Sequence, residues 1–262
     1  MELRADGRPL RVGHKGAAAL EPENTLRSLV RAVELGCDLV EFDVLGLDDG
    51  TLVLAHSDDL FEVSHGAARG RVRALPLAAL REVAPELPTL DEALERLRSA
   101  GGTGLQVDLK GSGFEEAVVR AIRRHDLVER SVVSTFHVPS LLRLAALEPA
   151  LGRGLTYPVD RRGLSQRPLL APAAAAAAAC LRRALPHRIS GLLERARAGA
   201  AMLHHSVVSP AAVRLAHDRG AAVFAWTVDD PGLLDRMVAA GVDAVITNDP
   251  RIFRSADYTH RQ

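Results

Sequence analysis

Short β-type runs recur along this chain with helical segments between most of them, and that alternation limits the fold more than any other feature of the sequence. The runs are "LRVGH", "LVEFDV", "GLQVDLK", "SVVSTF", "GRGLTY", "AAMLHH", "AAVFAWTV" and "DAVIT". Between them lie "TLRSLVRAVELG", "TLDEALERLRSA", "FEEAVVRAIRRHDL", "PSLLRLAALE", an alanine-rich segment, "PAAVRLAHDRG" and "PGLLDRMVAAG". Strands separated by helices pair in parallel, with the helices covering the sheet. About eight such repeats in 262 residues close most naturally as an α/β TIM (β/α)8 barrel. A doubly wound open sheet is the alternative. One domain over residues 1–262 is expected, with a small hairpin or loop insertion after strand 2. Thr25 and Thr89 are the expected helix N-caps, and Gly36, Gly220 and Gly241 the expected left-handed C-terminal residues. Residues 157–200 carry the least decisive pattern.

Composition narrows the function classes. Apolar residues make up 47% and charged residues 25%, enough for a packed core without covalent staples. The 33 cations balance 33 anions, so no global field recruits nucleic acid, and none is expected as a partner. Cys37 and Cys180 lack metal-ligand spacing and are expected as buried small hydrophobes. "MELRADGRPL" has no apolar signal core, and a cytoplasmic location is the expectation. "LLAPAAAAAAACLRRALP" is too short and too alanine-rich for a transmembrane span, and reads as a surface or packing helix.

The chemistry-bearing residues fall on particular strand faces. Side chains alternate along a strand, so Leu39, Glu41 and Asp43 share one face and Val40, Phe42 and Val44 the other. The same period puts Gln106, Asp108 and Lys110 opposite Leu105, Val107 and Leu109. The apolar faces suit packing on helices, which turns the acidic faces inward. Asp49-Gly50 is a two-residue hairpin signal; with those residues central, Asp48 pairs with Thr51 and Asp43 stands opposite His56. Opposed residues lie about 4.5–5.5 Å apart at Cβ, so Glu41, Asp43 and His56 are expected to converge. Buried carboxylates need a cation, either a basic side chain or a metal. Three oxygen donors without thiolates suit a hard divalent cation, Mg2+ or Ca2+. His14 ends the first strand, on the side where barrels gather functional groups.

Other polar residues read more plainly. His65, His125, His137, His187 and His217 are expected as solvated or hydrogen-bonded side chains. Of the adjacent His204 and His205, one at most can face the barrel interior. Trp226 is either core filling or an apolar wall beside a ligand. Only two lysines, Lys15 and Lys110, occur among 33 cations, and both fall beside these acidic and imidazole groups.

With these residues in view, the sequence resembles the glycerophosphodiester phosphodiesterase family. The matching text is "HKG", "PENTL", "GCDLVEFDV", "DGTLVLAH", "LQVDLK", "VVSTF", "WTVDD" and "GVDAVITNDP", from about residue 12 to residue 250. The resemblance implies a TIM barrel that hydrolyses small-molecule phosphodiesters of glycerol with a divalent cation. By position it implies His14 and His56 as the acid/base pair and Glu41, Asp43 and Asp108 as metal ligands. It also implies Lys110 as a basic group near the phosphate, with Lys15 and Trp226 as further candidate substrate contacts. Two routes stay open: attack by the glycerol 2-hydroxyl through a cyclic phosphate, and direct attack by water. Four positions depart from the family pattern: Lys15 replaces the usual arginine, Ser57 a common aspartate, Asp108 the usual glutamate, and Asp229 a common asparagine. A phospholipase D-like activity on lysolipids and a non-catalytic barrel binding phosphorylated ligands are the alternative readings.

Overall fold

The computed structural model describes residues 7–159 and 171–254. Nine strands are present among them: β1 (Leu10–Gly13), β2 (Leu39–Gly46), β3 (Leu52–Leu54), β4 (Gly104–Leu109), β5 (Ser131–Thr135), β6 (Gly152–Tyr157), β7 (Ala200–His204), β8 (Ala222–Trp226) and β9 (Ala244–Thr247). Eight of them form a closed parallel ring in the order β1-β2-β4-β5-β6-β7-β8-β9, because β1 pairs with both β2 and β9. That double pairing decides for the barrel over the open sheet. β3 lies outside the ring, antiparallel on β2.

The helices follow the sequence pattern: α1 (Leu26–Glu34), α2 (Leu60–Val63), α3 (Leu77–Val83), α4 (Leu90–Arg98), α5 (Glu115–Arg124), α6 (Val138–Leu147), α7 (Ala171–Ala184), α8 (Ile189–Ala196), α9 (Pro210–His217) and α10 (Pro231–Ala239). Thr25 caps α1 by accepting from the Ser28 N–H, and Thr89 forms a reciprocal capping box with Glu92 on α4. Gly36, Gly220 and Gly241 take positive φ, as expected. α8 was not separable from loop in the sequence, although Ile189, Leu193 and Ala196 bury one side of it. α7 is a largely exposed surface helix, and it corrects the expectation for Cys180: an alanine-rich helix has no strong apolar side to turn inward, so this thiol is exposed while Cys37 is buried. Residues 169 and 170 of the alanine-rich segment lie outside the described residues. Among the described residues no helix is long and apolar enough to cross a membrane.

The alternation of the strands separates two cores. Val40, Phe42, Val44, Leu105, Val107 and Leu109 face outward and pack with Leu29, Leu94, Leu97 and Ile122 of the surrounding helices. Val12, Leu39, Val132, Met202, Phe224 and Ile246 fill the inside of the ring. At roughly 25 cal/mol per Å2 of apolar surface, each such large side chain contributes about 1.5–3 kcal/mol when fully buried. Above the inner plug the strand register sets polar layers: Glu41 beside Gln106, then Asp43 beside Asp108 and Asp108 beside Ser134.

The insertion after β2 is more than a hairpin. It carries β3, α2 and α3 over a third cluster formed by Leu45, Leu47, Val53, Leu60, Val72, Leu80 and Leu87. The turn also differs from the expected one. Val44 pairs with Leu54 and Gly46 with Leu52, and Leu47 donates to the Thr51 carbonyl, so three residues, Asp48, Asp49 and Gly50, make the loop. Gly50 at φ +88° supplies the left-handed position that a three-residue turn uses. Asp43 therefore does not stand opposite His56 in the ladder, which ends at Leu54.

Candidate functional site

The segment after β1 is folded tightly over β2. Lys15 at φ +51° and Gly16 at φ +85° turn the chain so that the Lys15 N–H donates to Glu41 Oε2 at 2.7 Å and the Gly16 N–H to the Glu41 carbonyl at 3.0 Å. A Cβ on Gly16 would stand 2.4 Å from Ser28, so no larger residue permits this approach. His14 is thereby held at the mouth, its backbone N–H on the Thr247 carbonyl at 2.8 Å. Its Nδ1 lies 2.7 Å from Asn248 Oδ1 and its Nε2 3.9 Å from Glu41 Oε2. Burial, then the neighbouring Lys15 charge, holds the imidazole below its ordinary pKa, so the ring is set to be neutral.

Three carboxylates meet beside it. Glu41, Asp43 and Asp108 are buried, and one oxygen of each lies within 4.8 Å of the others. Asn24, at φ +58°, locks Asp43 by donating from Nδ2 to Oδ2 at 2.9 Å and accepting the Asp43 N–H at 3.0 Å. Lys110 Nζ stands 2.8 Å from Asp43 Oδ1 and 2.7 Å from Asp108 Oδ2. The other Asp108 oxygen accepts from Ser134 at 2.5 Å and from Thr156 at 3.4 Å. Burial favours the neutral forms of these groups, yet Lys110 and Lys15 draw Asp43 below the carboxylate range, and Asp108 and Asp43 hold Lys110 above its ordinary value. Glu41 is pushed well above its ordinary value by burial and then by the charges of Asp43 and Asp108.

That set fits a divalent cation. With all three acids ionised, one ammonium would leave two negative charges without a counterion in a buried space, and burial together with that repulsion raises Glu41 when no cation is bound. Asp43 Oδ1, though near the Lys110 ammonium, receives no hydrogen bond of good geometry. Hard oxygen donors of this kind suit Mg2+ or Ca2+.

His56 reaches the same cavity from the insertion, beyond the end of the β3 ladder. A cavity of about 130 Å3 is lined by His14, Glu41, His56, Asp108, Lys110 and Trp226, among others. Glu41 and His56 therefore converge as expected, while Asp43 lies behind the lining and is joined to it through Lys110, and the two-residue turn does not form. His56 Nδ1 lies 3.0 Å from Glu62 Oε1, and the Ser57 hydroxyl donates to Glu62 Oε2 at 2.6 Å. Although partial burial opposes ionisation, the hydrogen bonds from Ser57 and His56 hold the Glu62 carboxyl below its ordinary pKa. Trp226 is both wall and anchored residue: its ring lines the cavity, meets Phe136 edge-on at 6.4 Å, and donates from Nε1 to the Met202 carbonyl at 3.0 Å.

Lys15 does not reach this cavity. Its ammonium is held by Glu23 at 2.9 and 3.0 Å, within the segment that follows β1. Of the remaining histidines, His125, His137 and His217 are hydrogen-bonded to Asp91, Ser140 and Asp243, and His65 and His187 are exposed. His204 stacks edge-on against Trp226 at 5.0 Å and is pushed down to about 4 by burial and then by His205, whose Nδ1 meets the Thr227 carbonyl. Asn24, Glu62, Ser134 and Asn248 were not singled out by the sequence pattern. Their signal is weak because each acts by a hydrogen bond to a residue in another element, and although Asn24, Ser134 and Asn248 lie in stretches that carry the family resemblance, Glu62 does not.

Proteins of known sequence and structure resemble this chain over most of its length. Residues 14–252 match the sequence family described as the glycerophosphoryl diester phosphodiesterase family. The chain is 28% identical over 257 residues to a glycerophosphodiester phosphodiesterase of Caldanaerobacter subterraneus subsp. tengcongensis, covering 91% of this chain and 93% of that one. It superposes with a TM-score of 0.73 and 27% identity on an Oleispira antarctica phosphodiesterase in complex with its product sn-glycerol-3-phosphate, covering 95% and 96% of the two chains. A glycerophosphodiester phosphodiesterase from Parabacteroides distasonis shares the fold, with a TM-score of 0.75, 22% identity and coverage of 95% and 96%.

Proposed function

Because the chain belongs to the glycerophosphoryl diester phosphodiesterase family, and is thereby a phosphoric diester hydrolase, we propose that it releases glycerol phosphate and an alcohol from glycerophosphodiesters by two-histidine acid/base catalysis. The observation that carries this reading is the meeting of His14 and His56 in one small cavity with opposite kinds of partner, a neutral amide and a carboxylate. His14 Nε2 takes the proton of the attacking oxygen, a glycerol hydroxyl or water. His56 Nε2 delivers a proton to the departing alcohol, with Glu62 holding the ring. Lys110 places a fixed positive charge beside the phosphate oxygens, and Trp226 gives the substrate an apolar wall. Lys15 contributes at longer range, its ammonium lowering the pKa of His14.

Glu41, Asp43 and Asp108 would hold a divalent cation, Mg2+ or Ca2+, which when bound supplies charge neutralisation at the phosphoryl group. The product of the Oleispira antarctica relative, sn-glycerol-3-phosphate, is the product class assigned to this chain. The acidic and cationic lining of the cavity suits a water-soluble diester.

Hydrolysis of glycerophosphocholine and glycerophosphoethanolamine, followed by release of the alcohol with and without chelator, tests the reading. Turnover that chelator abolishes and Mg2+ or Ca2+ restores is expected. Failure to hydrolyse either diester with metal present rejects the substrate class, and full turnover in chelator removes the metal from the reaction.

A further inference from the structure

The partner of His14 has a partner of its own. Asn248 Nδ2 donates to Asp229 Oδ2 at 2.6 Å, and its backbone N–H donates to Asp229 Oδ1 at 2.8 Å. The Thr247 hydroxyl donates to the same Oδ1 at 3.0 Å. With three donors on it, the carboxylate is left with acceptor roles only. An amide side chain presents one donor end and one acceptor end, so an Asn248 whose NH2 is fixed on Asp229 must turn its carbonyl to His14. A carbonyl cannot donate, and the 2.7 Å contact with His14 Nδ1 therefore requires the proton on Nδ1. The lone pair is then on Nε2, the nitrogen that faces Glu41 and the cavity.

We propose that Asp229 is a positioning residue: through Asn248 it fixes His14 in the tautomer that carries its proton on Nδ1 and offers an unprotonated Nε2 to the substrate. Asp229 belongs to the loop after β8 and Asn248 to the end of β9, and the Val228 N–H on the Ile246 carbonyl at 2.9 Å holds the two segments together. The chain from His14 through Asn248 to Asp229 thus orders one proton by hydrogen-bond polarity alone. The proposal rests on the reading above for what Nε2 does in the reaction, but the tautomer itself can be read without substrate.

The experiment is 15N NMR of the ring nitrogens of His14 in the full chain, at a pH where the ring is neutral, assigned by the signals that disappear in His14→Gln. A protonated Nδ1 and an unprotonated Nε2 are expected in the wild type, and the reverse pattern overturns the proposal whatever the variants do. Asp229→Asn keeps an oxygen for the Thr247 hydroxyl and the Asn248 N–H while turning an NH2 toward the Asn248 side chain. That amide must then reverse, and the His14 proton moves to Nε2. In this variant kcat is expected to fall by about 10²-fold or more, as loss of a tautomer-fixing partner does in serine proteases, with KM changing by no more than about twofold. Exchanging the two groups in Asp229→Asn with Asn248→Asp restores an acceptor at Nδ1, and the proton is expected back there. An Asp229→Asn protein that keeps both the Nδ1 proton and the wild-type kcat overturns the proposal, as does an exchanged double variant whose proton stays on Nε2. A normal tautomer pattern in a wild type whose His14→Ala variant turns over at full rate would instead sink the catalytic reading of His14 and leave the positioning intact.

Discussion

The two sides of the barrel mouth hold a histidine each, and they hold it differently. His14 stands just past the end of a ring strand, mostly buried, with a neutral amide on Nδ1 and a depressed pKa. His56 stands on the insertion outside the ring, half exposed, with the Glu62 carboxylate on Nδ1. An amide orients the His14 ring without placing a charge beside it, and burial lowers its pKa; a carboxylate orients the His56 ring from a more open position. In the proposed reaction the first accepts a proton and the second delivers one. Barrel and insertion thus present the two rings from different parts of the fold, the insertion packed on its own apolar cluster.

The largest expected effect breaks this comparison outright. His14→Ala and His56→Ala should each lower kcat by about 10²- to 10⁴-fold on an alkyl diester. On a diester whose leaving group is an acidic phenol, which departs without protonation, His56→Ala should recover most of its rate and His14→Ala should not; equal recovery of both, followed by phenol absorbance, would show that the roles are not divided. The acid limb of kcat/KM follows from the same difference. With the His14 pKa lowered, kcat/KM should hold past about pH 6.5, where an ordinary imidazole becomes protonated, and fall only below it.

Next in size is Glu62→Gln, which leaves the His56 ring a neutral partner like that of His14. It is expected to lower kcat by about tenfold or more while leaving the His14 tautomer and the acid limb unchanged. A shift of the acid limb would show that the two sides are coupled.

Glu41 sharpens the comparison from the acidic floor of the His14 side. Its folded pKa lies above its unfolded value, so as pH rises from about 4.5 the unfolded state releases a proton that the folded state keeps. This group therefore lowers stability with rising pH until its own folded pKa is passed. Glu41→Gln removes that loss, and its metal-free Tm at pH 8 should equal or exceed that of the wild type. Mg2+ or Ca2+ should raise the wild-type Tm, by about 2.7 kcal/mol of stability at one hundred times Kd, and leave Glu41→Gln unmoved. An equal metal shift in both proteins, measured by calorimetry, would remove Glu41 as a ligand.

The smallest expected effect is that of Lys15→Arg, because the Lys15 ammonium is engaged by Glu23 and does not line the cavity. A guanidinium keeps the charge that depresses His14 and can pair with Glu23 in bidentate fashion. Changes in kcat/KM within about threefold on glycerophosphocholine and glycerophosphoethanolamine alike are expected, and a reordering of headgroup preference would place residue 15 in contact with substrate.

The sequence made legible whatever depends on local periodicity. All eight ring strands and the capping threonines follow from local pattern, and the inward set of Glu41, Asp43, Gln106, Asp108 and Lys110 from alternation along single strands. The β2–β3 turn was misread because Asp-Gly serves two-residue and three-residue loops alike, and a difference of one residue changes which side chains oppose each other. His56 reaches the cavity all the same, since its position is fixed by the packing of the insertion beyond β3 and not by ladder register.

What the chain alone determined, then, is which side chains share a face, because that is set by the backbone period within a few residues. Only the tertiary structure decided who meets whom across faces. Closure of the ring brings Asn248 to His14 across 234 positions of sequence, and the insertion brings Glu62 to His56. Lys15, identical in type to Lys110, is turned aside to Glu23. Hydrogen-bond polarity and charge act over a few ångströms in space, and neighbours at that distance are chosen by how distant elements pack, which no local pattern encodes.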